Sequence, residues 1–197
     1  MKYLLFLLFA VGALGQGLNL NDPAFLALLH GHPVSSGECT NLTDSFTGVI
    51  DNGWAVGSDS TNVYVAGRFI ASSAYTVCKA KISLFSVGSP TFDLNVAVYS
   101  HDSANNIPLS QIGTMSGAVS ATNVPAISAE IDFTGISSPV ANGSTNWLVL
   151  FASVADPANF VTWDASTITG YAIARKPAAV WLTDATTHML LFKLYSE

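Results

Sequence analysis

At 197 residues the chain holds one domain plus short appendages, and two full hydrophobic cores would be cramped. Half of the residues are hydrophobic and only 10% are charged, which excludes a disordered polyelectrolyte. Seven basic residues against thirteen acidic ones give a formal charge of −6, and this balance argues against a nucleic-acid partner, whose phosphates need clustered Lys and Arg.

Residues 1–15 have the order of a secretory signal peptide: Lys2 as the charged start, an apolar run from Leu4 to Ala10, then Ala13-Leu14-Gly15 as a small-x-small cleavage site. The run is too short for a comfortable membrane span; a retained N-terminal anchor is the competing reading. Cleavage would leave six basic residues against thirteen acidic, a charge of −7, on a secreted, extracellular chain with no membrane span. Residues 16–44 read as a helix and a linker. Asn21 or Asp22 caps, Pro23 opens and Gly31 closes a helix of about two turns. Its Phe25, Leu26, Leu28 and Leu29 cover too wide an arc to be left in water. The helix is expected to pack on an end of the domain, or else to dock on a partner protein or a second copy through residues 18–31. His32-Pro33-Val34-Ser35-Ser36-Gly37 is linker by composition.

Residues 45–197 read as strands. Residues 46–50 are a candidate first strand, followed by an Asp51-Asn52-Gly53 turn, Trp54 and a second loop around Gly57. Val65, Gly67 and Phe69 then alternate with Tyr64, Ala66, Arg68 and Ile70, apolar on both sides apart from Arg68, as in a strand covered on both faces. From 76 to 84, Thr76, Cys78, Ala80, Ile82 and Leu84 alternate with Val77, Lys79, Lys81 and Ser83, which predicts one buried and one wet face. Pro90 breaks the pattern, and Leu94, Val96 and Val98 resume the buried face. A weak strand is expected around 111–115 and a half-exposed one at 127–134. Residues 147–152 are apolar on both faces, and segments near 160–163, 171–174, 180–183 and 188–195 complete about nine to eleven strands separated by Gly, Pro, Asn and Ser turns, the pattern of an antiparallel β-sandwich. The predicted fold is all-β, a jelly roll with one short N-terminal helix.

The order AGRFIASSAYTVCKAKISLFSVGSPTFDLNVAVYS, followed by IPLS, NWLVLFAS and NFVTWDAS, resembles a bacterial extracellular jelly-roll domain of the choice-of-anchor class, a group that is similar to carbohydrate-binding modules. The resemblance covers most of the chain and lies in core pattern rather than in chemistry. It implies an exported β-sandwich with a carbohydrate or cell-surface ligand. No C-terminal hydrophobic segment follows Tyr195-Ser196-Glu197, so the anchoring role of that class is not expected to carry over.

The two cysteines, Cys39 and Cys78, form an even pair in an oxidising compartment, and a disulfide is expected; two separate thiols are the alternative, with Cys78 on the buried face. No H-E-x-x-H, Cys-x-x-Cys or Gly-x-Ser-x-Gly motif is present, so no cofactor is implied. Structural calcium is left open: Asp44, Asp51 and Asp59 fall in early loops without a D-x-D-x-D run, and the metal question has no residue-level answer. Glu130 and Asp132 share one face of a strand and are the only carboxylate pair with glycosidase-like spacing, yet solvated carboxylates are ordinary there, and no enzyme is expected. Sugars stack their C–H faces on aromatic rings, which singles out Trp163, Asp164, Tyr171, Arg175 and Trp181, gathered near loops in the C-terminal third; core packing of the tryptophans is the competing reading. The expected function is non-catalytic carbohydrate or surface-ligand binding that serves adhesion, with a structural subunit of an extracellular or virion assembly as the alternative.

Overall fold

The computed structural model describes residues 38–60, 62–177 and 180–197. The expected signal peptide, the expected helix with Phe25, Leu26, Leu28 and Leu29, and residues 16–37 as a whole lie outside the described residues. In chain order the strands are β1 (Asn41–Phe46), β2 (Asn52–Val56), β3 (Tyr64–Ile70), β4 (Tyr75–Val87), β5 (Asp93–Asp102), β6 (Ile107–Ile112) and β7 (Val119–Ser120). They continue as β8 (Ala129–Val140), β9 (Thr145–Ala152), β10 (Phe160–Ser166), β11 (Ile173–Arg175), β12 (Leu182–Ala185), β13 (Met189–Leu190) and β14 (Phe192–Ser196). All pairings between them are antiparallel.

Two sheets form. The first contains the run β2-β10-β4-β8, the second the run β3-β9-β5-β6. Taken in chain order, these eight strands alternate between the sheets except at the β5–β6 hairpin, which is the connectivity of a jelly roll. Two additions decorate it. Strands β11 and β12 extend the second sheet beyond β3, and β1 with β13 and β14 enters the first sheet. The entry is a fork. Near one end β4 pairs directly with β10, from Val87↔Phe160 to Leu84↔Trp163. Past Trp163 the two strands part. The Leu191 amide then donates to the Asp164 carbonyl, the Ser83 amide donates to the Leu191 carbonyl, and β14 runs on between β4 and β1.

The core lies between the sheets. Val65 and Phe69 of β3, Leu94, Val96 and Val98 of β5, and Leu148 and Leu150 of β9 face Ala80, Ile82 and Leu84 of β4, Phe133 of β8 and Trp163 of β10. The alternation expected for β3, β5 and β9 is therefore realised. Phe46 packs its ring on Phe192 at 4.5 Å and edge-on to Phe69 and Tyr171. Gly67 is the point where the inserted strand meets the opposite sheet: a Cβ there would come within 3.2 Å of Leu190 and 3.3 Å of Phe192.

Two local expectations are corrected. The first strand is Asn41–Phe46 rather than 46–50, because its register is set by pairing with β14, from Asn41↔Ser196 to Phe46↔Phe192. In β4 the face changes at an irregularity between Val77 and Lys79. Val77 is in the core and Thr76 is exposed, the reverse of simple period two. Such a break re-aims a side chain; Cys78 leaves the core row and bonds to Cys39, with the Cα atoms 5.9 Å apart. The expected disulfide is present, and it ties the start of the domain to the longest strand.

Closing the 39-residue span between the cysteines removes chain entropy from the unfolded state, worth about 4 kcal/mol in the loop-closure treatment. The double variant Cys39→Ala/Cys78→Ala is expected to lose about that much in urea unfolding. Gly67→Val should cost about 1–3 kcal/mol by overpacking against Leu190 and Phe192, measured as a lower urea midpoint at unchanged slope.

Candidate functional site

The five residues expected to bind a ligand do not converge. Trp163 is wholly buried between the sheets, its indole N–H donating to the Leu191 carbonyl at 3.0 Å. Asp164 is equally buried and accepts from the Ser83 hydroxyl at 2.6 Å and the Ser128 hydroxyl at 3.1 Å. Both hold the fork where the C-terminal strand enters, and neither can touch a ligand. Tyr171 seals an end of the core against Phe46 and lines a groove of about 290 Å³ with Arg68, Phe69, Ile70 and Gly170. Arg175, the last residue of β11, pairs with Asp184 at 3.3 Å, which also accepts the Trp54 indole N–H at 2.7 Å. Trp181 lies in a setting that a ligand could share. A stacking platform made of Trp163 and Trp181 is thus corrected: one ring closes the core and the other packs outside it.

The outer faces of the two sheets differ sharply. That of the first sheet is polar: Lys81 pairs with Asp132 at 3.5 Å, Lys193 pairs with Glu130, and Lys79 rests over the Tyr195 ring. Glu130 and Asp132, spaced as a carboxylate pair in the sequence, are each matched to a lysine of the neighbouring strands. The outer face of the second sheet is aromatic and carries a second packed cluster.

This face is built in rows by the register of β3, β9 and β5. Tyr64, Phe151 and Asn95 form one row, Ala66, Val149 and Ala97 the next, and Arg68, Trp147 and Tyr99 the third. Ala174 of β11 extends the middle row. Small residues in the middle and rings on either side make a trough. Trp181 packs into it, edge-on to Tyr64 at 6.2 Å and to Tyr99 at 6.0 Å, and is 8% exposed. The edges of the sheet curl over one end: the Thr183 hydroxyl of β12 donates to the Asn106 carbonyl in the β5–β6 turn. Asn106 adopts φ 54°, in the left-handed region that asparagine tolerates, and its side-chain oxygen accepts from Arg68 at 2.7 Å. Arg68 also donates to the Gly170 carbonyl at 2.7 Å. Beneath this roof Trp147 is fully buried and donates its N–H to His101 Nδ1 at 3.0 Å.

The other end of the trough is open. Tyr64 stacks on Phe151 at 5.2 Å, and the Lys176 ammonium stands 5.3 Å from the Tyr64 ring centre and 5.8 Å from that of Trp181. Tyr64, Tyr99, Phe151 and Lys176 are all half-buried. Among the described residues neither phenol hydroxyl of Tyr64 and Tyr99 has a hydrogen-bond partner. Burial, with the nearby Tyr64 phenol, holds the Tyr99 hydroxyl above its ordinary range. The mouth therefore offers ring faces for stacking beside hydroxyl and ammonium donors.

Compared with known proteins, the chain matches no protein-family model and no curated protein. The three early aspartates are engaged separately: Asp44 accepts from Tyr75, Asp51 from the Thr167 amide and hydroxyl, and Asp59 from Asn62. Among the described residues no group of three or more His, Cys, Asp or Glu is placed to hold a metal ion. Tyr64, Tyr99 and Lys176 were not singled out by the sequence reading as ligand-binding residues. The signal that points to them is a strand pair apolar on its outer as well as its inner side, which requires a cover and ends in tyrosines where the cover stops.

Asp164→Ala leaves two hydroxyl donors at the fork without their acceptor and should cost about 1–3 kcal/mol of stability, while leaving ligand binding unchanged. His101 is held below its ordinary value, chiefly by burial and next by the nearby Arg68, against an opposing pull from Asp102. The unfolded chain takes up a proton near pH 6.5 that the folded chain resists. Stability contributed by neutral His101 is thus full above about pH 6.5 and is lost as the pH falls through the lower folded value. Urea midpoints should drop over that window, and His101→Gln, which keeps an acceptor for Trp147, should flatten the drop.

Proposed function

We propose that the chain is a non-catalytic carbohydrate-binding module of exported type, acting through the open trough on the outer face of its second sheet. The observation that carries this reading is the asymmetry of the sandwich. Outer faces of antiparallel sheets are ordinarily polar where water covers them, and the first sheet obeys that rule. The second presents Tyr64, Phe151, Tyr99 and Trp181 with hydroxyl and amide groups beside them. Amphipathic rings that keep their donors free suit a ligand with apolar C–H faces and many hydroxyls. The resemblance to jelly-roll domains of exported proteins supports the same class. The Cys39–Cys78 bridge supports an oxidising, extracellular setting. Neutralisation of Glu130 and Asp132 by lysines supports a module without catalysis.

One observation favours the reading as a subunit of an assembly. Val49 and Ile50, in the connection after β1, are 76% and 50% exposed, and Ile168 lies beside Gly48 in the same region. Such a patch is a surface that a partner subunit could cover.

A glycan-array screen with the intact secreted protein tests both. A saccharide hit on a monomer, weakened about tenfold or more by Tyr64→Ala and unaffected by Asp132→Asn, supports the module. Particles in light scattering that dissociate in Val49→Ser/Ile50→Ser, with no glycan hit, would replace it with the assembly.

A further inference from the structure

We infer that the ligand of this face is an acidic polysaccharide, one that carries carboxylate or sulfate groups. The inference rests on the proposed function and adds to it the charge of the ligand.

The described part of the chain has six Lys and Arg side chains. Three have carboxylate partners: Lys81 with Asp132, Arg175 with Asp184 and Lys193 with Glu130. Lys79 lies over Tyr195 on the first sheet. Of the three without a carboxylate partner among the described residues, the other two, Arg68 and Lys176, both belong to the outer face of the second sheet. Asp102, an acid near this side, is turned to capping Ala104 and Asn105. Arg68 is fixed instead by two neutral oxygens, of Asn106 and Gly170. Among the described residues, a chain with a formal charge of −6 therefore has two of its three unpaired cations on its aromatic face.

The chemistry of the trough agrees. The Lys176 ammonium and the Arg68 guanidinium only donate hydrogen bonds, and the phenols of Tyr64 and Tyr99 are free to donate. Such a set is matched by a ligand rich in acceptors, and ionised acceptors make the stronger bonds. Arg68 stands four residues along β3 from Tyr64, the residue whose ring Lys176 covers, so the two cations are anchored at backbone positions about 13 Å apart along the strand. That separation suits a polymer with repeated acidic groups better than a single small anion.

The test is affinity electrophoresis of the intact secreted protein in dextran, dextran sulfate and polygalacturonate, at low and high salt. Retardation by one or both acidic polymers but not by dextran, reduced by salt and weakened about tenfold by Lys176→Gln but not by Lys79→Gln, supports the inference. Dextran sulfate alone identifies sulfate as the group read, and polygalacturonate alone identifies carboxylate. Equal, salt-insensitive binding of a neutral glycan with Lys176→Gln unchanged overturns the acidic ligand and leaves the carbohydrate reading standing. Binding lost in Lys79→Gln instead moves the anion to the first sheet and overturns the inference. No binding to any polymer, and none on the glycan array, overturns both.

Discussion

Strand β9 is apolar on both of its faces, and the rest of the molecule answers that constraint. Leu148 and Leu150 on one side close the core between the sheets, while Trp147, Val149 and Phe151 on the other would face water on a bare sandwich. Burying apolar surface contributes roughly 25 cal/mol per Å², so the second side is covered as well. The cover comes from Trp181, from the curled edge at Thr183 and from the turn at Asn106. It is incomplete at the Tyr64 end. The candidate site is the part of the outer face that folding leaves open.

The fork in the first sheet is the complementary device. A long strand, β4, cannot pair along its whole length with β10, so the C-terminal strand fills the gap where they part. Trp163, Asp164, Ser83 and Ser128 tie that junction with side-chain hydrogen bonds. The disulfide fixes β4 from the other direction by holding the start of the domain to it. The polar outer face of this sheet, with its matched ion pairs, is an ordinary solvated surface on which exposed pairs contribute little.

Much of the fold was legible because period two survives wherever one sheet face is buried. Leu94, Val96 and Val98 obey it, and the doubly apolar reading of β3 and β9 correctly called for cover on both sides. The failure at Thr76 and Val77 has a local cause: a strand irregularity between Val77 and Lys79 reverses the faces, and nothing in residue type alone marks where it occurs. The site was less legible. Closeness in sequence grouped Trp163, Asp164, Tyr171, Arg175 and Trp181, but β10 and β11 belong to opposite sheets, so the group is divided between a fork, a groove, a rim and a trough. Tyr64 and Tyr99 are 35 positions apart and meet only through the strand order β3-β9-β5. Lys176 joins them because β11 adds to the free edge of β3, a connection that composition does not announce.

The central claim is that the outer face of the second sheet is the ligand surface. It is tested most directly by titrating isotope-labelled protein with a soluble oligosaccharide and following backbone amide shifts. The account predicts changes confined to Tyr64, Ala66, Tyr99, Phe151, Lys176 and their strand neighbours, with the indole N–H of Trp181 moving and that of Trp163 still. Shifts centred on Lys81, Asp132 and Lys193, or on Val49 and Ile50, would contradict it.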